Sequence, residues 1–312
     1  MTNIPTTPFA RHGALRVRGG RLTDAAGAPV SLRGVSTHAI GLYPQYVNID
    51  SFRTLRDDWG ANVIRLAMYT RVENGYLDGG DPAMLEGVID AGVAACRELG
   101  LYAIVDWHIL TDGNPAQHQA EALDFFARMS KKYADAPHVL YEICNEPNGE
   151  DVTWEVVRAY AEAVLPVIRR NAPDAVVLCG TPCWSQLVDR VAAHPLTDGN
   201  VMYTLHYYAA THRDDLRRRL TAALDAGTPV FVSEFSICDA SGNGALDYDS
   251  AAAWRALIRE NGLSYIGWNL SNKDESSAFL LPGCEKTSGW TEDDLTDSAK
   301  WLRNALREDR EE

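Results

Sequence analysis

The sequence predicts an α/β fold, a (β/α)8 barrel (TIM barrel) with an N-terminal β-hairpin, and three observations support this prediction. Short, nearly continuous apolar runs alternate eight times with amphipathic helical patterns, which is typical of parallel strands covered on both faces. Residues 14–30 instead alternate apolar and polar positions around Gly-Gly and Ala-Gly pairs, which indicates the hairpin. The second candidate, an open doubly wound sheet, lacks its usual phosphate site because no Gly-x-Gly-x-x-Gly follows a strand.

The predicted elements follow one another in regular order. Strands are predicted at residues 31–36, 62–67, 102–107, 139–144, 175–180, 201–206, 229–234 and 264–269. Helices are predicted at residues 50–59, 83–99, 116–134, 153–171, 184–193, 213–226, 249–261 and 296–308. Asp81-Pro82 is a helix start signal, and Gly100 stands where a helix end favours a left-handed residue. No repeat or linker divides the chain, so we expect one catalytic domain over residues 1–312 with a frayed charged tail at 307–312.

Composition and charge narrow the class of partner. The 312 residues are 46% hydrophobic and 23% charged, which suits a globular protein with a buried core. The formal net charge of −14 argues against a nucleic acid or an anionic membrane surface, and favours a neutral polymer or a small molecule. No apolar run approaches the ~20 residues of a membrane span. We expect a monomer without nucleic-acid or membrane partners.

Neither the cysteines nor the histidines predict a metal or redox site. Cys179 and Cys183 are spaced C-x3-C, but no second pair completes a zinc site, so we expect reduced, structural thiols. His38, His108 and His206 could join glutamates around zinc or manganese, but no His-x-His or His-x-x-x-His pair supplies two ligands from one element. We therefore predict no metal and no cofactor. A metal-dependent barrel hydrolase stays an alternative, which loss of activity to a chelator would identify.

Polar and aromatic side chains recur where the predicted strands end. Active sites of such barrels lie at the C-terminal ends of the strands, so these residues are expected to share one cleft. In chain order they are His38, Arg65, Tyr69, His108, Asn145, Glu146, Trp184, His206, Tyr208, Glu234 and Trp268. Each alone has an ordinary structural explanation, such as an ion pair or a packed ring. Together they favour a site, because each buried polar group left without a partner costs about 1–3 kcal/mol.

Two glutamates carry the chemistry in this interpretation. The apolar runs at 139–147 and 229–234 each contain a carboxylate near the polar end, Glu146 and Glu234. Two facing carboxyl groups are what a glycosidase uses as proton donor and nucleophile. Glu142 shares a strand with Glu146 but lies deeper, so we expect it to be a structural ion-pair partner.

Eight short motifs in order resemble glycoside hydrolase family 5, the cellulase family of clan A, and most closely its bacterial endoglucanase subfamily. The similar segments are Leu32-Arg-Gly-Val-Ser-Thr-His38, Val63-Ile-Arg-Leu-Ala-Met-Tyr69, Asp106-Trp-His108, Asn145-Glu-Pro147, His206-Tyr-Tyr208, Ser233-Glu234, Gly267-Trp268 and Asn272-Lys-Asp-Glu-Ser-Ser277. Asn-Glu-Pro alone is a weak signal, whereas the ordered set is specific. The resemblance extends over nearly the whole chain.

The resemblance implies a retaining endo-β-1,4-glucanase that acts on β-glucan polysaccharide or oligosaccharide, with Glu146 as general acid/base and Glu234 as nucleophile. It implies that Asn145 bonds the sugar 2-hydroxyl, that Arg65 and Tyr208 hold the nucleophile, and that His206 orients the acid. The remaining implied sugar contacts are His108 and Trp268 at the cleaved-bond subsite, His38, Tyr69, Lys273 and Glu275 on the non-reducing side, and Trp184 on the leaving-group side. A cis peptide bond between Trp268 and Asn269 is also implied.

The sequence departs from the family at Leu42, where relatives usually carry a tryptophan that stacks on a sugar. Fine specificity is therefore open, with mixed-linkage β-glucan or β-mannan as alternatives. A non-catalytic sugar-binding barrel would need only the aromatic residues, and a reducing-sugar assay separates it from an enzyme. The resemblance implies a secreted protein whose signal peptide is absent from this chain, or a cytoplasmic protein if the chain is complete.

The retaining mechanism sets expectations for distance and charge. The two carboxyl groups should lie about 5–5.5 Å apart. Glu234, held by Arg65 and Tyr208, is expected to stay ionised, and its negative charge should favour the protonated form of Glu146. Once Glu234 carries the sugar, that charge disappears and Glu146 can deprotonate the incoming water.

Overall fold

A short helix and a β-hairpin precede the barrel in the computed structural model, which describes residues 7–310. Helix α1 (Pro8–His12) comes before strands β1 (Arg16–Arg18) and β2 (Arg21–Thr23), which pair antiparallel. The predicted hairpin is confirmed. Helix α1 was not predicted, because five residues are too few to show a helical period.

Eight parallel strands form a closed barrel. In chain order they are β3 (Arg33–Thr37), β4 (Val63–Tyr69), β5 (Tyr102–His108), β6 (Val139–Glu142), β7 (Val177–Cys179), β8 (Val201–Tyr208), β9 (Val230–Ser236) and β10 (Tyr265–Leu270). Each strand pairs with the next, and β10 pairs with β3 to close the ring. The predicted (β/α)8 barrel is confirmed. Its lower interior is apolar, and Leu15, Leu22 and Val30 of the hairpin region pack against that interior as a plug.

Helices surround the barrel and mostly follow the predicted positions. They are α2 (Ile49–Thr54), α3 (Pro82–Leu99), α4 (Gln119–Lys132), α5 (Trp154–Asn171), α6 (Pro182–Ser185), α7 (Asp214–Asp225), α8 (Tyr248–Glu260) and α9 (Asp297–Glu308). Asp81 caps α3 by accepting the Ala83 amide at 2.9 Å, and Gly100 ends it with φ +66°. The six cysteines are free, and all but Cys183 are buried. None of the helices in the described part of the chain is long and apolar enough to cross a membrane.

The helix predicted at 184–193 is wrong in its first half. Cys183, Trp184 and Ser185 adopt left-handed backbone angles, with φ of 58°, 55° and 56°, so α6 is a single left-handed turn rather than a regular helix. A regular helix cannot continue through such residues, so only a 3-10 helix at 188–193 follows. Contacts with the loop after β6 hold this turn: the Trp184 amide donates to the Pro147 carbonyl at 3.0 Å, and Ser185 Oγ donates to the main chain at 2.7 Å.

The frayed tail predicted at 307–312 is wrong for its described part. Helix α9 continues to Glu308, and the Asp309 carboxylate is almost fully buried. It accepts hydrogen bonds from the Tyr265 hydroxyl at 2.7 Å and from Arg255 Nη2 at 2.8 Å. The end of the helix is therefore attached to the barrel through polar contacts that an apolar pattern does not reveal. Residues 311–312 lie outside the described residues.

We predict that Asp309→Ala lowers the free energy of unfolding by about 1–3 kcal/mol, because it leaves the Tyr265 hydroxyl and Arg255 without their buried acceptor. The measurement is urea-induced unfolding. Glu308→Ala is the matched control, since Glu308 pairs with the same arginine but is 61% exposed, and its effect should stay within about 0.5 kcal/mol. Equal effects of the two substitutions would contradict a structural role for Asp309.

Candidate active site

The centre of the barrel mouth is organised by a buried cation, Arg65 of β4. Its Nε donates to Glu142 Oε2 at 2.7 Å, and its Nη2 donates to Asn145 Oδ1 at 2.6 Å and lies 3.0 Å from Asp106 Oδ2. Its Nη1 donates to Glu234 Oε2 at 3.2 Å. Glu142 is thus a structural ion-pair partner, as the sequence predicted. One guanidinium joins carboxylates from β5, β6 and β9.

Glu234 of β9 is held by two fixed donors. Besides the Arg65 contact, its Oε1 accepts a hydrogen bond from the Tyr208 hydroxyl at 2.8 Å. Burial raises the pKa of Glu234 and nearby Glu146 acts in the same direction, whereas His206, Arg65 and Tyr208 oppose the rise. Because both carboxyl oxygens already accept hydrogen bonds, the ionised form suits this arrangement better than the protonated form.

A chain of hydrogen bonds links Glu146 to the interior. Glu146 Oε1 lies 3.0 Å from His206 Nδ1, and His206 Nε2 lies 2.9 Å from Ser233 Oγ. Ser233 Oγ in turn donates to Glu142 Oε1 at 2.7 Å. Since the serine hydrogen is committed to Glu142, its oxygen accepts the Nε2 hydrogen of His206. Only Nδ1, facing Glu146, is then free to gain or lose a proton.

The charges around His206 favour its protonated form. Burial would raise the pKa of Glu142, but Arg65 and His206 outweigh burial and lower it to about 2. Burial lowers the pKa of His206, but Glu234, Glu142 and Glu146 together raise it to about 9. The proton shared between His206 Nδ1 and Glu146 therefore depends on all three carboxylates. The sequence predicts that Glu234 alone controls this proton and that His206 only orients the acid.

Glu146 and Glu234 face each other at short range. Each contributes a carboxylate oxygen, and His206 a ring nitrogen, with these atoms all within 4.8 Å of one another. Such a trio could hold a cation. These atoms already have hydrogen-bond partners, however. Glu234 accepts hydrogen bonds from Arg65 and Tyr208, and the two ring nitrogens of His206 contact Glu146 and Ser233. This donor set fits proton transfer better than metal binding.

A cleft of about 620 Å³ opens above these groups. All the predicted site residues line it except Arg65 and Asn145, which lie beneath it. Those in the cleft wall are His38, Tyr69, His108, Glu146, Trp184, His206, Tyr208, Glu234, Trp268, Lys273 and Glu275. Asn145 is fully buried, and its side chain accepts from Arg65 and donates to the Ile109 carbonyl at 3.0 Å. Its contact with the sugar 2-hydroxyl stays a prediction.

One end of the cleft presents a polar group of three predicted residues. Lys273 Nζ pairs with Glu275 Oε2 at 2.6 Å, and Glu275 Oε1 lies 3.8 Å from His38 Nε2. Nδ1 of His38 accepts the Ala39 amide at 2.7 Å. Burial and Lys273 lower the pKa of His38 to about 4 against the opposing charge of Glu275. His38 is therefore neutral at neutral pH and carries its hydrogen on Nε2.

Stacked rings form the wall beside this end. The Tyr69 ring lies 4.0 Å from His108, and His108 lies 5.3 Å from Trp268 at an interplanar angle of 16°. Burial lowers the pKa of His108 well below its ordinary value.

The peptide bond between Trp268 and Asn269 is cis, which confirms the cis bond that the resemblance implied.

The opposite end carries an exposed aromatic ring, and other parts of the cleft contain residues that the sequence did not predict. Trp184 is 46% exposed at the cleft. Gln186, His212 and Ser241 also line the cleft, although none was predicted. They lie in the loops beyond β7, β8 and β9. The sequence prediction considered polar residues at strand ends, so it did not include these loop residues. Leu42, at which the sequence departs from the resemblance, lines the cleft with 39% exposure.

A (β/α)8 barrel with two facing carboxylates, one after β6 and one near the C-terminal end of β9, is the arrangement of a glycoside hydrolase of the two-carboxylate type. Comparison with known families identifies the family of glycoside hydrolases. The family described as Cellulase (glycosyl hydrolase family 5) matches residues 23–274. The chain belongs to this family.

Relatives and solved structures agree with this assignment. The chain is 49% identical to Endoglucanase A of Butyrivibrio fibrisolvens over 294 residues, covering 93% of this chain and 68% of the relative. It is 44% identical to Endoglucanase 5 of Pectobacterium carotovorum subsp. carotovorum over 305 residues, covering 97% and 59% respectively. The chain thus spans about three fifths to two thirds of the length of these relatives.

Two solved structures superpose closely on the barrel. Cellulase Cel5C_n gives a TM-score of 0.94 at 40% identity, covering 98% of this chain and 95% of that chain. A variant catalytic domain of Thermobifida fusca endoglucanase Cel5A, solved in complex with cellotetraose, gives a TM-score of 0.90 at 39% identity, covering 96% and 99%.

We predict that the stability contributed by His206 depends on pH. Its folded pKa of about 9 exceeds the ordinary 6.5, so the contribution is fully present below about pH 6.5 and is lost as pH rises through 9. The unfolding free energy of wild type minus that of His206→Asn should shrink across this window by up to about 3 kcal/mol. Urea titrations at several pH values measure this difference.

His38→Asn is the matched comparison, because the pKa of His38 is shifted in the opposite direction from that of His206. The folded pKa of His38, about 4, lies below 6.5, so its contribution is present above pH 6.5 and is lost as pH falls through 4. The unfolding free energy of wild type minus that of His38→Asn should shrink only as the pH falls below 6.5. Differences that do not vary with pH for either variant would contradict the assigned charges.

Proposed function

We propose that the chain is a retaining endo-β-1,4-glucanase, which hydrolyses internal β-1,4-glucosidic bonds of cellulose-type glucans by double displacement. The observation that carries the proposal is the approach of Glu146 and Glu234 oxygens to within 4.8 Å. Inverting enzymes need about 6.5–9.5 Å between the carboxyl groups to admit a water, whereas retaining enzymes need about 5–5.5 Å. The names of the relatives, and the cellotetraose bound to one of them, support the substrate class.

In the first step, Glu234 attacks the anomeric carbon and forms a glycosyl ester. Arg65 and Tyr208 fix one oxygen each, so the carboxylate meets the sugar in a set orientation. Glu146 donates its proton to the leaving oxygen as the glycosidic bond breaks. Because the proton leaves with the departing sugar, Glu146 ends this step ionised.

In the second step, Glu146 removes a proton from water, which attacks the anomeric carbon and releases Glu234. Esterification has removed the charge of Glu234, one of the groups that raised the pKa of His206. The shared proton has left with the departing sugar, so His206 keeps only its Nε2 hydrogen, and its lower pKa leaves the proton of the water to Glu146. We propose that His206 and Glu146 share one proton through their 3.0 Å contact, which lets Glu146 alternate between acid and base.

The cleft walls supply sugar-binding groups at both ends. We assign His38, Tyr69, Lys273 and Glu275 to the glucose on the non-reducing side. His108 and Trp268 line the subsite of the cleaved bond, with Asn145 below it toward the 2-hydroxyl. Trp184 offers its exposed ring to the leaving-group side.

We propose one catalytic unit that works as a monomer on a neutral glycan. The net charge of −14 disfavours nucleic acid and anionic membrane surfaces as partners. A long β-glucan does not cross a membrane, so we place the activity outside the cell.

We expect Glu234→Gln to reduce hydrolysis of cellotetraose by at least about a thousandfold, because the amide cannot form the glycosyl ester. Binding of cellotetraose, measured by calorimetry, should change little because the cleft keeps its shape. Glu285→Gln, an exposed glutamate outside the cleft, is the control and should retain full activity. Normal turnover by Glu234→Gln would rule out the assignment.

We expect the first product released from a cello-oligosaccharide to be the β-anomer, because two displacements restore the starting configuration. Proton NMR of the anomeric signals during the first minutes of hydrolysis measures this. Initial appearance of the α-anomer would mean inversion and would remove Glu234 as nucleophile.

A further inference from the structure

His212 is a cleft residue to which the mechanism above gives no task. It follows β8, and it lines the cleft together with Glu146 and Trp184. Its main chain is fixed: the His212 amide donates to the Tyr208 carbonyl at 2.8 Å, and the Trp254 indole donates to the His212 carbonyl at 2.8 Å. The ring therefore sits on a rigid turn rather than on a mobile loop.

The hydrogen-bond pattern fixes the tautomer of this ring. The Tyr208 amide donates to Nδ1 of His212 at 2.8 Å, so Nδ1 is an acceptor. A neutral imidazole that accepts at Nδ1 carries its hydrogen on Nε2. Burial lowers the pKa of His212, although Glu146 and Asp239 oppose it, which keeps the ring neutral at neutral pH. Within residues 7–310, no hydrogen bond occupies Nε2.

The barrel order places His212 on one particular side of the cleft. Strands β6, β7 and β8 are neighbours, and the loops that follow them carry Glu146, Trp184 and His212. The opposite end belongs to β3 and β10, which are followed by His38 and Lys273. An acid protonates the oxygen that departs, so the departing sugar lies on the side of Glu146.

We propose that His212 is a specificity-determining residue that donates its Nε2 hydrogen to a hydroxyl of the leaving-group sugar. The inference rests on the proposed function, because it needs Glu146 as the acid that defines this side. Trp184 supplies a ring for the face of that sugar, and His212 adds a directional contact to its edge. A fixed, neutral donor suits an uncharged hydroxyl, which accepts a hydrogen bond without requiring a counter-charge.

The test compares two substrates that differ in the leaving group. Cellotetraose releases a sugar with hydroxyl groups, whereas 4-nitrophenyl β-cellobioside releases an aromatic group without sugar hydroxyls. His212→Asn keeps an acceptor oxygen at the position of Nδ1 but has no donor at the position of Nε2. We expect the ratio of kcat/KM for cellotetraose to kcat/KM for the aryl cellobioside to fall about three- to tenfold, the effect of one neutral hydrogen bond.

Two further variants make the test specific. His212→Gln, whose amide nitrogen reaches the position of Nε2, should restore at least part of the ratio. His194→Asn makes the same substitution at an exposed site outside the cleft, and it should leave the ratio at the wild-type value. Because both rates come from one protein sample, any loss of folded enzyme cancels in the ratio.

An unchanged ratio in His212→Asn would overturn the inference. An equal loss on both substrates would also overturn it, because that result indicates positioning of Glu234 through Tyr208 rather than contact with the leaving sugar. These outcomes leave the proposed function intact as long as the wild type hydrolyses both substrates. A wild type that hydrolyses neither substrate would overturn the proposed function and this inference together.

Discussion

The guanidinium of Arg65 lies entirely inside the barrel, where a charge without partners would be too costly to keep. Its partners are Asp106, Glu142 and Glu234, which come from three different strands. This requirement fixes one oxygen of Glu234 before any substrate arrives. It also gathers more negative than positive charge at the barrel mouth, and that excess raises the pKa of His206. The orientation of the nucleophile and the charge of the histidine therefore have one electrostatic origin.

The cluster around Arg65 brings His206 into the proton transfer. The sequence predicts that the charge of Glu234 controls the proton of Glu146. In the structure, His206 stands between Glu146 and the Ser233–Glu142 pair, and only its Nδ1 is free to exchange a proton. Glu146 thus has an internal proton partner as well as a charged neighbour. Esterification of Glu234 would act on both at once, because the same negative charge influences the histidine and the acid.

Much of the fold and site could be predicted because the signals are local or recur at fixed places. Apolar strand runs identified the barrel, and polar residues at strand ends identified Glu146 and Glu234. The parts that could not be predicted depend on tertiary contacts. The left-handed turn at Trp184 is held by the loop after β6, Asp309 is buried by partners more than forty residues away in the chain, and His212 lies in a loop beyond its strand. No periodicity in the sequence records such contacts.

The central claim is that Glu234 forms a covalent bond with the sugar while Glu146 transfers the proton. Trapping the intermediate tests this most directly. Wild-type enzyme is incubated with an activated 2-deoxy-2-fluoro-cellobioside, which forms the glycosyl ester faster than water hydrolyses it. Mass spectrometry of the intact protein, followed by peptide mapping, then locates the label. We expect one added fluorocellobiosyl group, on Glu234. A label on Glu146 or Glu142, or no label while the enzyme remains active on cellotetraose, would contradict it.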